Sequence, residues 1–197
     1  MIMKIAILGG TFNPIHLGHI AMAEYVIKNT DMERICFLPN GKPPHKDSDI
    51  IIDKHHRLNM VKLATEHCEN FFVSDYEINR NEKCYTVDTI KHFNSIDHNE
   101  YYFIIGADSL FQLSDWKNPH ELKRICSFIV CDRDFGENTF KEVKRLKSEG
   151  CNIQLMNMEK IDIDSTTIRK RIRDGLDISE YVPRVVAQYI YDNKLYL

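Results

Sequence analysis

Short apolar runs alternate with segments of helical spacing along this chain. Residues 4–8 read as a first strand, because Ile5, Ala6, Ile7 and Leu8 are apolar without interruption, as in a strand covered on both faces. Residues 17–29 carry apolar positions at helical intervals and predict a helix. Residues 34–38 predict a second strand, stopped by Pro39, Asn40 and Gly41, with a polar loop over 42–49. Residues 54–67 have helical spacing through Leu58, Val61 and Ala64. Then follow a strand over 71–76, a helix over 86–94, a buried strand over 101–105 and a strand over 127–131. A helix over 139–149, a strand over 152–156 and closing helices at 166–174 and 183–192 complete the pattern. Strands alternating with helices predict an α/β fold, a doubly wound parallel sheet with helices on both faces. Such sheets bind ligands beyond the carboxyl ends of their strands, at a switch point in strand order. Gly9-Gly10 and Gly106-Ala107-Asp108 fall at strand ends of that kind.

The chain has 197 residues, 43% of them hydrophobic, which suffices for one substantial core without staples. No repeat or composition shift divides it, so a single domain is expected over 1–197, with a C-terminal helical part from about 165 to 197. The net charge of -3 carries no basic bias toward nucleic acid. No stretch approaches the ~18 apolar residues of a membrane span. The first residues run directly into a strand, so no leader segment is expected. Six scattered cysteines without a C-x-x-C pair read as reduced thiols and point to the cytoplasm.

Between the first strand and the first helix stands Gly9-Gly10-Thr11-Phe12-Asn13-Pro14-Ile15-His16-Leu17-Gly18-His19. A strand, a glycine turn and a helix start expose free backbone N–H groups and the positive end of a helix dipole. Gly10 allows backbone to approach a ligand closely. Thr11 and Asn13 can donate to phosphate or cap nearby turns. His16 and His19 share one helix face and can meet one anion together, a polyphosphate being the obvious candidate. As imidazolium, or as neutral N–H donors, they can stabilise charge growing on a transferring phosphate. A metal pair and two structural histidines are the alternatives; a metal site wants a third ligand, and no Asp, Glu or Cys is local. The segment fits neither G-x-G-x-x-G nor the P-loop. Far downstream, Ser165 and Thr166 can cap a helix whose N-terminus faces phosphates, and Arg169 can reach the same anion with a planar fork. Taken alone, that stretch reads equally as a helix cap with a surface arginine. Lys42-Pro43-Pro44-His45-Lys46 is a stiff basic loop, either simply exposed or holding Lys46 over a site. Trp116 is the one tryptophan, and its neighbours Ser114, Asp115, Lys117 and Asn118 favour a loop over the core.

The first segment resembles the H-x-G-H signature of the nucleotidyltransferase superfamily. Its members hold a nucleoside triphosphate while a phosphate of the second substrate attacks the α-phosphorus, with no covalent enzyme intermediate. Asp164-Ser165-Thr166-Thr167-Ile168-Arg169 resembles that superfamily's S-S-T-x-I-R motif, with Asp164 in place of the first serine. The P-P-H-K loop after the second strand is similar to one in bacterial nicotinate mononucleotide adenylyltransferases. Cys84-Tyr85-Thr86-Val87-Asp88-Thr89 resembles that family's S-Y-T-x-D-T stretch, and Gly106-Ala107-Asp108 its G-A-D. Trp116 stands where the family stacks an aromatic on the pyridine ring, and Lys117 replaces a common tyrosine. His56-Arg57 resembles a family H-R at a helix start and reads as structural support. Arg133 follows a strand as the family's adenosine-side arginine does. Tyr181-Val182-Pro183 resembles the segment leading into the last helix.

The resemblance implies a Rossmann-like fold and transfer of AMP from ATP to nicotinate mononucleotide, giving deamido-NAD and pyrophosphate. It assigns His16, His19, Lys46 and Arg169 to the reacting phosphates. Gly9, Gly10, Thr11, Phe12, Gly106, Asp108, Arg133, Ser165 and Thr166 would surround ATP. Lys46, Tyr85, Thr86, Asp108, Trp116 and Lys117 would face the mononucleotide. Mg²⁺ would arrive on ATP, keeping several waters, with no metal held by protein ligands alone. The implied partners are small molecules, with no nucleic acid and no membrane. A sister nucleotidyltransferase acting on phosphopantetheine or nicotinamide mononucleotide leaves the P-P-H-K loop, the Y-T-x-D-T stretch and Trp116 unexplained. A nucleotide sensor without turnover would have no need of His16, His19 and Arg169 together.

Overall fold

The computed structural model describes residues 2–42, 51–133, 135–159 and 161–197. Six strands, β1 (Lys4–Gly10), β2 (Arg34–Pro39), β3 (Phe71–Val73), β4 (Glu100–Gly106), β5 (Ser127–Asp132) and β6 (Asn152–Asn157), form one sheet. Its order is β3-β2-β1-β4-β5-β6, and every pairing is parallel. The chain thus builds outward from β1 in one direction and, beginning with β4, in the other. The switch point lies between β1 and β4, where Ile7 is flanked by Cys36 and Phe103. This is the doubly wound, Rossmann-like arrangement that the alternating pattern predicts.

Side chains alternate across the sheet. Ala6, Leu8, Phe37, Ile104 and Ile129 face one core with α1 (Leu17–Asn29), α2 (Lys54–Thr65), α7 (Ser165–Arg173) and α8 (Arg184–Asp192). Ile5, Ile7, Leu38, Phe103, Ile105 and Val130 face the other, with α3 (Thr86–Ile96), α4 (Ala107–Gln112), α5 (Pro119–Ile125) and α6 (Glu137–Ser148).

Three sequence expectations are corrected. β3 ends at Val73, short of residue 76; the Ser74 amide still donates to Phe37 O, and a turn then takes over. Two short helices, α4 and α5, occupy stretches read as connections. The loop expected over 114–120 divides into a 3-10 turn at Leu113–Asp115, an extended Trp116 and the first turn of α5. Leu110, Leu113 and Leu122, all fully buried, draw these pieces onto the sheet, and Pro119 takes the first helical position, where no N–H is needed. Of the polar loop over 42–49, Lys42 alone is among the described residues.

Candidate active site

The first motif closes over the carboxyl end of β1. His16 is the residue that opens α1, and His19 lies one turn on. The His16 amide donates to His19 Nδ1 at 3.2 Å. The neutral His19 ring therefore carries its proton on Nε2. The two rings stand 3.7 Å apart, tilted by 31°. Between them Gly18 leaves just enough space, since a Cβ there would lie 3.1 Å from His16 Nδ1. His16 is 7% exposed, and burial lowers its pKa to about 4, although Asp164 pulls the other way. At neutral pH His16 is an uncharged imidazole, and its buried Nδ1 has no partner among the described residues.

That depression carries a prediction. The unfolded ring takes its proton near 6.5 and the folded one only near 4. The stabilisation is therefore complete above the unfolded value and is lost as pH falls toward the folded one, by about 3 kcal/mol. Urea unfolding of the wild type and His16→Gln at neutral pH and at about pH 4.5 checks this, because the variant lacks that part of the slope. Equal slopes in the two proteins would contradict it.

The C-terminal motif docks on the first one. Ser165 Oγ donates to Pro14 O at 2.9 Å, and Arg169 Nη1 donates to Asn13 O at 2.9 Å. Arg169 Nη2 reaches Thr166 Oγ1 at 3.2 Å, while its buried Nε has no partner among the described residues. Of the residues that could cap α7, it is Asp164, not Ser165 or Thr166, that accepts from the Thr167 amide at 2.9 Å and hydroxyl at 2.8 Å. These bonds hold the Asp164 carboxyl below the usual carboxylate range.

Three cavities adjoin along the switch point. A central one of about 540 Å³ is lined by Gly10, Thr11, Phe12, His19, Asp164, Ser165, Thr166 and Arg169 among others. One of about 550 Å³ shares Gly10 and Thr11 with it and extends past Gly9 to Tyr85, Thr86, Trp116 and Lys117. The third, about 470 Å³, shares His19 and reaches His16, Gly106, Asp108 and Arg133. The candidate residues other than Lys46 therefore sort into one continuous cleft, with basic and hydroxyl groups at its middle. Asp108, expected to touch both substrates, lines the third cavity and not the first. Lys46 lies outside the described residues. Trp116 stands edge-on to Phe103 at 6.2 Å and lines the first cavity as well as the core beneath it. Lys117 bonds Asp88 at 3.0 Å and sits 4.3 Å from the Tyr85 ring centre.

Other residues enter that the sequence did not single out as site residues. Asn40 lines the first cavity and donates to Thr11 Oγ1 at 3.4 Å. Glu77, 6% exposed, accepts from Thr89 Oγ1 at 2.7 Å, and burial pushes its carboxyl up. Met158, Ile161 and Ile163 give the third cavity an apolar wall. The Asn-Gly stop after β2 was a usable signal for Asn40; the other four carry none. Arg57, read as support, is 1% exposed and donates to Thr11 O at 2.7 Å and Gly41 O at 3.1 Å. The described residues bring no three His, Cys, Asp or Glu side chains into a metal-sized group.

A parallel sheet whose switch-point cleft presents two histidines, a helix N-terminus and an arginine offers groups suited to a polyphosphate anion. The cytidylyltransferase-like family pattern matches residues 7–171, and the chain belongs to that family. Among curated relatives, a probable nicotinate-nucleotide adenylyltransferase of Caldicellulosiruptor bescii is 40% identical, covering 95% of this chain and 96% of the relative. One of Clostridium tetani is 38% identical, with 98% of each covered. In fold, the chain resembles the nicotinic acid mononucleotide adenylyltransferase of Plasmodium falciparum complexed with NaAD. That structure matches with a TM-score of 0.82 at 22% identity, over 98% of this chain and 97% of the other.

Proposed function

We propose that this chain, as a single nucleotidyltransferase domain, transfers the adenylyl group of ATP to nicotinate mononucleotide, giving deamido-NAD and pyrophosphate in NAD biosynthesis. The carrying observation is the continuous cleft, in which an aromatic-lined cavity adjoins the central one at Gly10 and Thr11 and a nucleoside-sized cavity adjoins it at His19. The curated relatives named above support it at about 40% identity along the whole chain.

The mononucleotide's phosphate is already anionic at neutral pH, so no strong base is required. One of its oxygens attacks the α-phosphorus in line, the α–β phosphoanhydride bond breaks, and pyrophosphate leaves with the electron pair. Catalysis then rests on position and charge stabilisation. His19 offers its Nε2–H to the reacting phosphate, neutral His16 lies beside it, and Arg169 with the N-terminus of α7 receives the departing phosphates. Lys46 is assigned to the same phosphates. Gly106, Asp108 and Arg133 take the adenosine side, and Tyr85, Thr86, Trp116 and Lys117 the pyridine side. Both oxygens of Asp164 are engaged by Thr167, so Mg²⁺ fits here as a hydrated ion carried on ATP, with Asp108 or Asp164 meeting its waters. When bound, it neutralises phosphate charge. No helix among the described residues is long and apolar enough to cross a membrane. The six thiols are all free, which supports a cytoplasmic setting.

The test supplies α-labelled ATP, Mg²⁺ and nicotinate mononucleotide. The label should pass into deamido-NAD with one pyrophosphate released per product, and no pyrophosphate should form without the mononucleotide. Labelled AMP as the product would overturn the reading. Trp116→Ala should raise KM for the mononucleotide about ten-fold, as loss of an aromatic stack does, with a smaller change in kcat. An unchanged KM would return Trp116 to a packing role.

A further inference from the structure

Trp116 sits on a turn anchored below by buried Leu113 and Phe103 and on one side by the Lys117–Asp88 pair. Its amide donates to Leu113 O at 3.4 Å, and Asn118, two residues on, adopts the left-handed conformation with φ 48°. Ser114, Asp115, Lys117 and Asn118 are all exposed. A set of charges from α5 and α6 also reaches this turn. Ser114 Oγ accepts from Arg145 Nη2 at 3.0 Å and from Lys123 Nζ at 3.4 Å. Both acceptor positions of the hydroxyl are thereby used. Arg145 also forks onto Glu142, at 2.9 and 2.5 Å, and donates to Glu149. Lys123, 3% exposed, bonds Glu149 Oε2 at 2.6 Å.

Two cations and two carboxylates thus balance, and Glu149 is shared by both cations. A cation as deeply buried as Lys123 is costly unless it is paired and its donors are bonded. Its position is therefore fixed, and the Ser114 hydroxyl is bonded to a rigid group. None of these four charged side chains lines the three cavities of the cleft. Their link to it is Ser114, two residues before Trp116.

We propose that Ser114 is a positioning residue, tethered by Arg145 and Lys123, that fixes the Trp116 ring on the wall of the first cavity and so sets affinity for the ring of the mononucleotide. This rests on reading that cavity as the pyridine site. The chain has one tryptophan, so its intrinsic fluorescence reports on this ring alone.

The experiment compares wild type, Ser114→Ala, Arg145→Gln and the double variant. In the free enzymes, both single variants should lower the fluorescence anisotropy of Trp116. Both should raise KM for nicotinate mononucleotide about five-fold, the net scale of one ordinary hydrogen bond, with kcat and KM for ATP within about two-fold. The double variant should be little worse than Ser114→Ala, because losing the hydroxyl already removes its bonds to both Arg145 and Lys123. Unchanged anisotropy, or losses that add in the double variant, would overturn the tether. Quenching of wild-type emission by the mononucleotide tests the stacking separately. Its absence would remove the pyridine reading, while the free-enzyme anisotropy would still decide for or against the tether.

Discussion

Replacing His19 with alanine should lower kcat by about 10²-fold or more while leaving the fold intact, the usual scale for losing a donor aimed at developing charge. The geometry concentrates that effect on one atom. Nδ1 of His19 is occupied by the His16 amide, which leaves Nε2–H as the donor, and the residue lines both the central and the nucleoside cavities. Its ring packs edge-on against Phe12 at 4.9 Å and lies over His16, so it is held before substrate arrives. Because the ring is partly exposed, its removal leaves no large void and should cost little stability beyond the bond it accepts from the His16 amide, about 1 kcal/mol. Single-turnover rates with saturating substrates, alongside thermal melting, separate the two effects. A variant with near-normal kcat would remove His19 from the reacting phosphates.

Arg57→Ala should destabilise the protein by about 3–5 kcal/mol, the scale for truncating a large buried side chain and leaving its hydrogen-bond partners unpaired. Arg57 holds three chain segments by their carbonyls: Thr11 at 2.7 Å, Gly41 at 3.1 Å and Ile52 at 3.4 Å. Burial lowers the pKa of its guanidinium, and among the described residues backbone oxygens, not a buried carboxylate, receive its hydrogen bonds. Truncation would strand those oxygens beside a large void. Gly41 is itself closely packed, since a Cβ there would lie 2.2 Å from Glu77 O. Lysine should not rescue, because one ammonium cannot present a planar fork to separated carbonyls. Denaturant unfolding of Arg57→Ala and Arg57→Lys checks this, and full stability in the lysine variant would contradict it.

What the sequence made legible was local. β1 is covered on both faces and followed by glycines, so its apolar run and its turn announce each other. His16 and His19 are placed by helix period, and Trp116 stood out as an aromatic among polar neighbours. What escaped is non-local. α4 and α5 are short, and their helicity depends on Leu110 and Leu122 meeting the sheet. Arg57 was legible as support only through the H-R resemblance, and its burial exists only because residues 11, 41 and 52 converge on it. Asp164 was visible as a departure from a motif. Its service as the α7 cap required Thr167 to fold back on it, and that left Ser165 free to bond Pro14 on the far side of the chain.

The central claim is adenylyl transfer to a pyridine acid mononucleotide. The most direct test is pyrophosphate release from ATP and Mg²⁺, run in parallel with nicotinate mononucleotide and nicotinamide mononucleotide. The account predicts turnover with the acid and a kcat/KM lower for the amide by about ten-fold or more, as expected where a site built for a polar group meets an analogue lacking it. Equal values would contradict the pyridine-side assignment of Thr86, Trp116 and Lys117, and no release with either would contradict the transfer itself.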